Sequence, residues 1–304
     1  MADESLLVQK LLEELSQTQY ACSELKKLSG GTANYLYRGT LIEHLDSQVD
    51  APEAVTKTVV IKHSEDHVPG LWLRSFHQWM SEPGQASLRA TISQNEEARK
   101  LKCKITYDSF LKVLEIYPDL VEGHMETLKA VKDAMTAEFS LNERPLGEDG
   151  SWGLIHGDFW TGNVLLPDAP WQEIRNPDQA PNRLFIIDWE LAQFGHRAID
   201  VGAMMADLYE RKHFKDVDTV IPAMKGFADG YGRISDEMAF RTAIHAGVHL
   251  ICWHIRGNPN LPLSVPMDKV LSALALGRDF VLKGWEKDRQ WFESSVLAPL
   301  FTTL

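Results

Sequence analysis

Apolar positions recur along this chain with two different periods, and the changes of period divide it. Leu6, Leu7, Leu11, Leu12 and Leu15 fall on one face of a 3.6-residue repeat and predict an amphipathic helix over Ser5–Leu15. The pattern then shortens. A glycine turn, Leu28-Ser29-Gly30-Gly31-Thr32-Ala33-Asn34, leads into Tyr35-Leu36-Tyr37-Arg38-Gly39, and VTKTVVIK over Val55–Lys62 is strongly β-branched; these predict two strands. From Leu71 the helical period returns, over Leu71–Met80, Glu96–Lys104, Tyr107–Ile116 and Pro118–Phe139. The last opens on Pro118-Asp119 and carries a stripe of Leu120, Met125, Leu128, Val131 and Met135. Two short apolar strands, Val164–Leu166 and Leu184–Ile187, flank a polar, proline-containing excursion. Val201–Tyr209, Val217–Tyr231, Asp236–Ile255 and Met267–Trp285 then read as helices. The expected class is α+β: a small strand-bearing N-terminal lobe over 1–84 and a large, mostly helical lobe over 85–304.

Composition narrows the function. With 304 residues the chain is long enough for two lobes, and 44% hydrophobic with 24% charged residues is ordinary for a soluble globular protein. No apolar run approaches the roughly 18 residues of a membrane span, and the acidic start MADESLLVQK is neither a secretory signal nor a basic transit peptide. A net charge of -12 argues against nucleic acid and against anionic membranes as partners. Cys22, Cys103 and Cys252 are scattered and match no zinc spacing, which fits a reducing compartment and predicts a cytoplasmic protein.

The chemistry concentrates between Leu154 and Glu190, which read LIHGDFWTGNVLL and, after the excursion, LFIIDWE. His156, Asp158 and Asn163 lie on the loop before the first strand, and the second strand ends on Asp188, so a hairpin gathers proton- and metal-competent side chains at one end. Two carboxylates and a carboxamide are the hard oxygen ligands that metal-assisted phosphoryl transfer needs. His-Gly-Asp by itself is an ordinary turn before a strand; its occurrence with Asn163 and Asp188 carries the weight. His245 and His249 have a zinc-compatible spacing, but no glutamate lies between them. They read as core or substrate-pocket residues.

SGGTANYLYR, VVIKH, LIHGDFWTGNVLL and IIDWELAQFGHRAIDVG together resemble the aminoglycoside phosphotransferase/choline kinase branch of the protein-kinase-like fold, nearest its fungal methylthioribose-kinase-like subgroup. The resemblance implies a two-lobe phosphotransferase that uses ATP and Mg2+ on a hydroxyl of a small molecule. On that reading Asp158 is catalytic with His156 beside it, Asn163 and Asp188 hold metal, Gly30, Gly31 and Lys62 meet the phosphates, and Asp200 braces the catalytic loop. For Asp200 a helix N-cap ahead of Val201–Tyr209 is the competing role. Trp160, Trp253 and His254 are the expected acceptor pocket. One departure stands out. A kinase small lobe needs a glutamate-bearing helix, two further strands and an adenine-binding hinge after its lysine, about 30 residues. Only His63–Gly84 is available, and its helix Leu71–Met80 holds no acid. The alternative expectation is therefore a non-catalytic, kinase-like binding protein. The open strand edges of so short a lobe predict a homodimer.

Overall fold

The computed structural model describes residues 8–9, 12–13, 15–16, 21–27, 35–41, 58–63, 68–140, 150–165, 184–253 and 265–302. The chain divides into two compact units, Met1–Glu65 with Leu165–Ile186, and Asp66–Val164 with Ile187–Leu304.

In the smaller unit, strands β1 (Cys22–Lys27), β2 (Tyr35–Leu41) and β3 (Thr58–His63) form an antiparallel sheet in the order β1-β2-β3. Lys27 lies opposite Tyr37 and Leu36 opposite Lys62, so the predicted strand lysine sits next to the end of β3. The described residues of the predicted lead-in helix are helical. Gly30 and Gly31 lie outside the described residues.

The larger unit is built from helices around one short hairpin. Strands β4 (Trp152–Ile155) and β7 (Gln193–His196) pair antiparallel, Leu154 opposite Phe194 and Ile155 opposite Gln193. Between them in sequence, β5 (Val164–Leu165) pairs with β6 (Phe185–Ile186), and β6 with Leu165 is counted with the smaller unit. The flanking helices are α1 (Val68–Trp79), α2 (Ala86–Ile92), α3 (Glu96–Ile105), α4 (Tyr107–Leu114) and α5 (Met125–Phe139). After β7 come α6 (Ala198–Lys215), α7 (Val220–Tyr231), α8 (Asp236–Trp253), α9 (Met267–Glu286) and the short α10 (Arg289–Glu293) and α11 (Pro299–Thr302). Tyr107, Phe110, Leu114, Leu128, Val131, Val248, Ile251 and Val281 form the buried centre, joining α4, α5, α8 and α9.

Three differences from the sequence expectation have physical causes. The stretch read as one helix from Pro118 is a 3-10 turn, Pro118–Leu120, followed by α5, because Gly123 takes φ +73° and stops propagation. The helix predicted at Val201 begins at Ala198, which places Asp200 inside its first turn and Arg197 at its N-cap. Helix α1, grouped from sequence with the N-terminal lobe, belongs to the larger unit and packs on α7. The contact is close: a Cβ on Gly70 would lie 2.1 Å from the Phe227 carbonyl oxygen, so only glycine lets these backbones meet. As a result the larger unit begins at Asp66, three residues after β3 ends.

Candidate active site

The loop that follows β4 is held by a fully buried carboxylate. Asp200 accepts the His156 backbone N–H at 2.8 Å on Oδ2 and the Gly157 N–H at 2.9 Å on Oδ1. Its third partner is the buried His77 of α1, at 3.2 Å from Nε2. His77 Nδ1 faces the Tyr231 hydroxyl at 2.9 Å. Burial pushes the Tyr231 phenol up, so it stays protonated and donates to Nδ1, and the remaining ring proton sits on Nε2, pointing at Asp200. Burial is also the chief influence on His77, lowering its pKa and keeping the ring neutral. For Asp200 burial acts to raise the pKa. The hydrogen bond from His77, the electrostatic influence of the His77 and His156 rings and the His156 N–H together outweigh it and hold the carboxyl below its ordinary range. Asp200 therefore caps the loop's amides, not its own helix. Gly157 follows with φ +81°, and a Cβ there would lie 2.2 Å from the Leu191 carbonyl oxygen.

His156 is fully buried and both its ring nitrogens are engaged. The Asp158 N–H donates to Nδ1 at 3.2 Å, which puts the ring proton on Nε2, and Nε2 donates to the Ile187 carbonyl at 2.9 Å. Expected beside Asp158 as a catalytic residue, His156 has no ring atom left for an acceptor proton. It is a positioning residue in this geometry.

Asp158 and Asn163 are joined directly. The Asn163 amide donates to the Asp158 carbonyl at 2.9 Å and to its Oδ2 at 3.2 Å. With its nitrogen committed, Asn163 presents Oδ1, a hard oxygen, on its other side. The Asn163 carbonyl accepts the Ile187 N–H at 3.1 Å. The Ile187 residue is thus gripped at its N–H by Asn163 and at its C=O by His156, and this grip delivers Asp188. Asp188 is exposed and left-handed, φ 67° and ψ 58°, ahead of the 3-10 turn Trp189–Leu191, and its side chain makes no cap there. Among the described residues no three His, Cys, Asp or Glu cluster as a metal site. A phosphate-bound magnesium asks for less, one or two carboxylates beside the phosphates and water, and the pair Asn163 and Asp188 fits that demand.

Three neighbours were not singled out in the sequence. Lys102 on α3 is only 5% exposed and its Nζ lies 3.9 Å from Asp158 Oδ1. Its helix is anchored near the site by Asn95, which caps Ala98 N–H at 3.1 Å and donates to the Ala192 carbonyl at 3.1 Å. Asp207, one face of α6 below Asp200, accepts from the Thr161 hydroxyl at 2.6 Å and the Thr161 N–H at 3.2 Å, pinning the turn between Asp158 and Asn163. His77 completes the group. The legible signals were a lysine on the buried stripe Ala98, Arg99, Lys102, Cys103, and two aspartates seven apart on one helix.

Of the expected acceptor residues, Trp160 is beside Asp158. Its indole N–H donates to Oδ2 at 3.2 Å, and its ring lies over Gly162. Trp253 ends α8, with its side chain outside the described residues, as is all of His254. Lys62 is placed in β3, its side chain likewise outside the description.

Residues 73–240 match the family model described as Phosphotransferase enzyme family. The phosphotransferase FrzJ of Cladobotryum sp is 24% identical over 386 aligned residues, which cover 96% of this chain and 95% of that protein. That alignment is longer than the 304 residues of this chain, so stretches of the relative have no counterpart here. A 4-hydroxytryptamine kinase of Psilocybe cubensis is 28% identical over 102 residues, 33% of this chain and 27% of that protein. Among solved structures, a choline/ethanolamine kinase family protein from Mesorhizobium loti covers 96% of this chain and 98% of its own at 16% identity and a TM-score of 0.32. Amicoumacin kinase hAmiN, in complex with AMP-PNP, Ca2+ and Ami, covers 93% and 96% at 12% identity and a TM-score of 0.36. Superpositions that loose carry no argument of their own.

Proposed function

Because this chain belongs to the phosphotransferase enzyme family, we propose that it moves the terminal phosphoryl group of ATP to a hydroxyl of a small organic acceptor. One observation carries the proposal. A single peptide, Ile187, is clamped between Asn163 and His156, so that Asp188 is presented next to an asparagine already bonded to Asp158. Asp158 orients the acceptor hydroxyl and takes its proton as the new P–O bond forms and the bond to the leaving diphosphate breaks. Lys102, nearly buried at 3.9 Å, offsets the carboxylate's charge and holds its Oδ1 in place. Asn163 Oδ1 and the Asp188 carboxylate are the ligands for magnesium, which when bound neutralises charge on the phosphates. Lys62 and the Gly30-Gly31 turn are assigned to the phosphates, and the Trp160 ring to one face of the acceptor. Asp158→Asn is the direct test. Its carboxamide keeps the size and the Lys102 neighbourhood yet takes no proton, so ADP release in the presence of acceptor should fall by about a thousandfold or more, with circular dichroism unchanged. Undiminished turnover would end the proposal.

A second reading has its own observation: only residues 64 and 65 separate β3 from the larger unit, leaving no room for a lysine-pairing helix or a hinge. On that reading the protein binds small molecules without turning over ATP. Thermal melting with ATP and magnesium separates the two. The phosphotransferase raises the midpoint, and Asp188→Ala removes the rise; a flat titration at millimolar nucleotide favours the binding protein.

A further inference from the structure

Beside Lys102 lies a small, partly open cavity of about 20 Å3, lined among others by Lys102, Thr106, Tyr107, Phe139, His245 and His249. That volume admits one oxygen-sized group. His245 is 8% exposed, and its Nδ1 is hydrogen-bonded to the Tyr107 hydroxyl. Tyr107 is 1% exposed, and burial drives its phenol well up, so it keeps its proton; its partner among the described residues is His245 Nδ1. A buried hydroxyl needs an acceptor, so Tyr107 donates to Nδ1 and the imidazole proton resides on Nε2. That Nε2 is buried and without a hydrogen-bond partner among the described residues, a position that costs stability unless a group outside the chain fills it. The neighbouring wall residue, His249, lies 3.5 Å from Glu210. Lys102 and His245 are donors, and Thr106 already spends its hydroxyl proton on the Lys102 carbonyl at 2.6 Å.

We propose that this cavity seats a carboxylate oxygen of the acceptor between Lys102 and His245, so that the substrate is a small hydroxy acid. The proposal rests on the phosphotransferase reading for the role of the hydroxyl, which goes to Asp158, 3.9 Å from the Lys102 Nζ. The occupant must carry lone pairs, since an ammonium group would bring a third donor to two existing ones, and beside the Lys102 ammonium a carboxylate oxygen is favoured over a neutral one. One side chain, Lys102, would then touch both ends of the acceptor and fix the hydroxyl's distance from Asp158.

The test is a nucleotide-free titration of 15N-histidine-labelled protein with 4-hydroxybutanoate and, separately, 4-amino-1-butanol, a pair sharing hydroxyl and chain length. The His245 Nε2 resonance should move and saturate with the acid and stay still with the amine, and Lys102→Met should weaken the acid by about tenfold. His245→Leu should abolish the response in melting temperature, with His245→Gln restoring part of it through its own N–H. Should the leucine variant not fold, the native resonance and Lys102→Met decide. An unmoved resonance, an equal effect of the amine, or unchanged affinity in Lys102→Met overturns the proposal and leaves a cavity holding solvent. Because no ATP is present, a protein that binds the acid but transfers nothing refutes only the phosphotransferase reading. Transfer that depends on Asp158, with an acceptor KM indifferent to His245, refutes only this one.

Discussion

Side chains in this site are mostly occupied in holding one another, and this is why motif reading finds some and misses others. Asp158, Asn163 and Asp188 stand out in the sequence because they share a short, ordered pattern. Lys102, Asp207 and His77 come from three different helices and meet the loop only once the chain is folded. Asp200 shows the intermediate case: its importance was legible, but whether its carboxylate served its own helix or the loop depended on where α6 begins. The buried histidines also set a pH dependence. Burial first, then the electrostatic influence of His196, Arg241 and Lys102, pushes His245 well below its ordinary pKa against a smaller opposing effect of Asp200, and burial lowers His77. Between the lowered native values and the ordinary 6.5, the unfolded chain binds protons that the native chain refuses. Native stability is therefore complete above about pH 6.5 and declines as the pH falls below it, by up to about 1.4 kcal/mol per pH unit for each ring. Urea midpoints collected from neutral to mildly acidic pH should show that decline, and His245→Gln should make it shallower. A midpoint that is flat across this range would mean that the rings are protonated in the native state.

At the level of elements, periodicity located the helices well wherever an apolar stripe ran unbroken, as in α3, α8 and α9. It failed where backbone geometry decided the matter: Gly123 split a helix whose side-chain stripe continued on both sides, and β7 escaped notice because QFGH has no alternation to announce it. Helix α1 is the instructive element. Its sequence suggested a small-lobe helix lacking the acid it needed, whereas its place in the fold explains that lack. It carries His77 to Asp200 and packs on α7 through Gly70. Enlarging that residue should separate the two helices. Gly70→Ala is expected to destabilise the protein by roughly 2–3 kcal/mol and, on the proposed phosphotransferase function, to slow transfer as well, since the His77–Asp200 contact loosens with it. Chemical denaturation alongside ADP release would detect both; an undisturbed midpoint would mean that the helices have room to move apart.

For the molecule as a whole, the family and the α+β class were readable in advance, and the division of the chain was not. The apparent shortage of residues after Lys62 becomes sharper in the folded protein, because α1 is committed to the larger unit and the sheet's last strand runs almost directly into it. The phosphotransferase FrzJ carries stretches this chain lacks. The loop carrying Asp158 and Asn163 and the residues that brace it nevertheless lie wholly in the larger unit. No helix among the described residues is long and apolar enough to cross a membrane.

Asp188 bears on whether this machinery is in use. Among the described residues two other non-glycine positions are left-handed, Asp216 and Lys287, and each closes the C-terminal end of a long helix, where that shape serves the architecture. Asp188 closes nothing. Glycine would suit its backbone better, and Asp188→Gly should melt higher, by roughly 0.5–1 kcal/mol of added stability, while losing any response to magnesium and ATP. If calorimetry finds that variant less stable, the carboxylate is a structural part after all. If it finds it hardier, the native residue persists against the preference of its own main chain, and a lineage that had stopped handling phosphate would have had every opportunity to let it go.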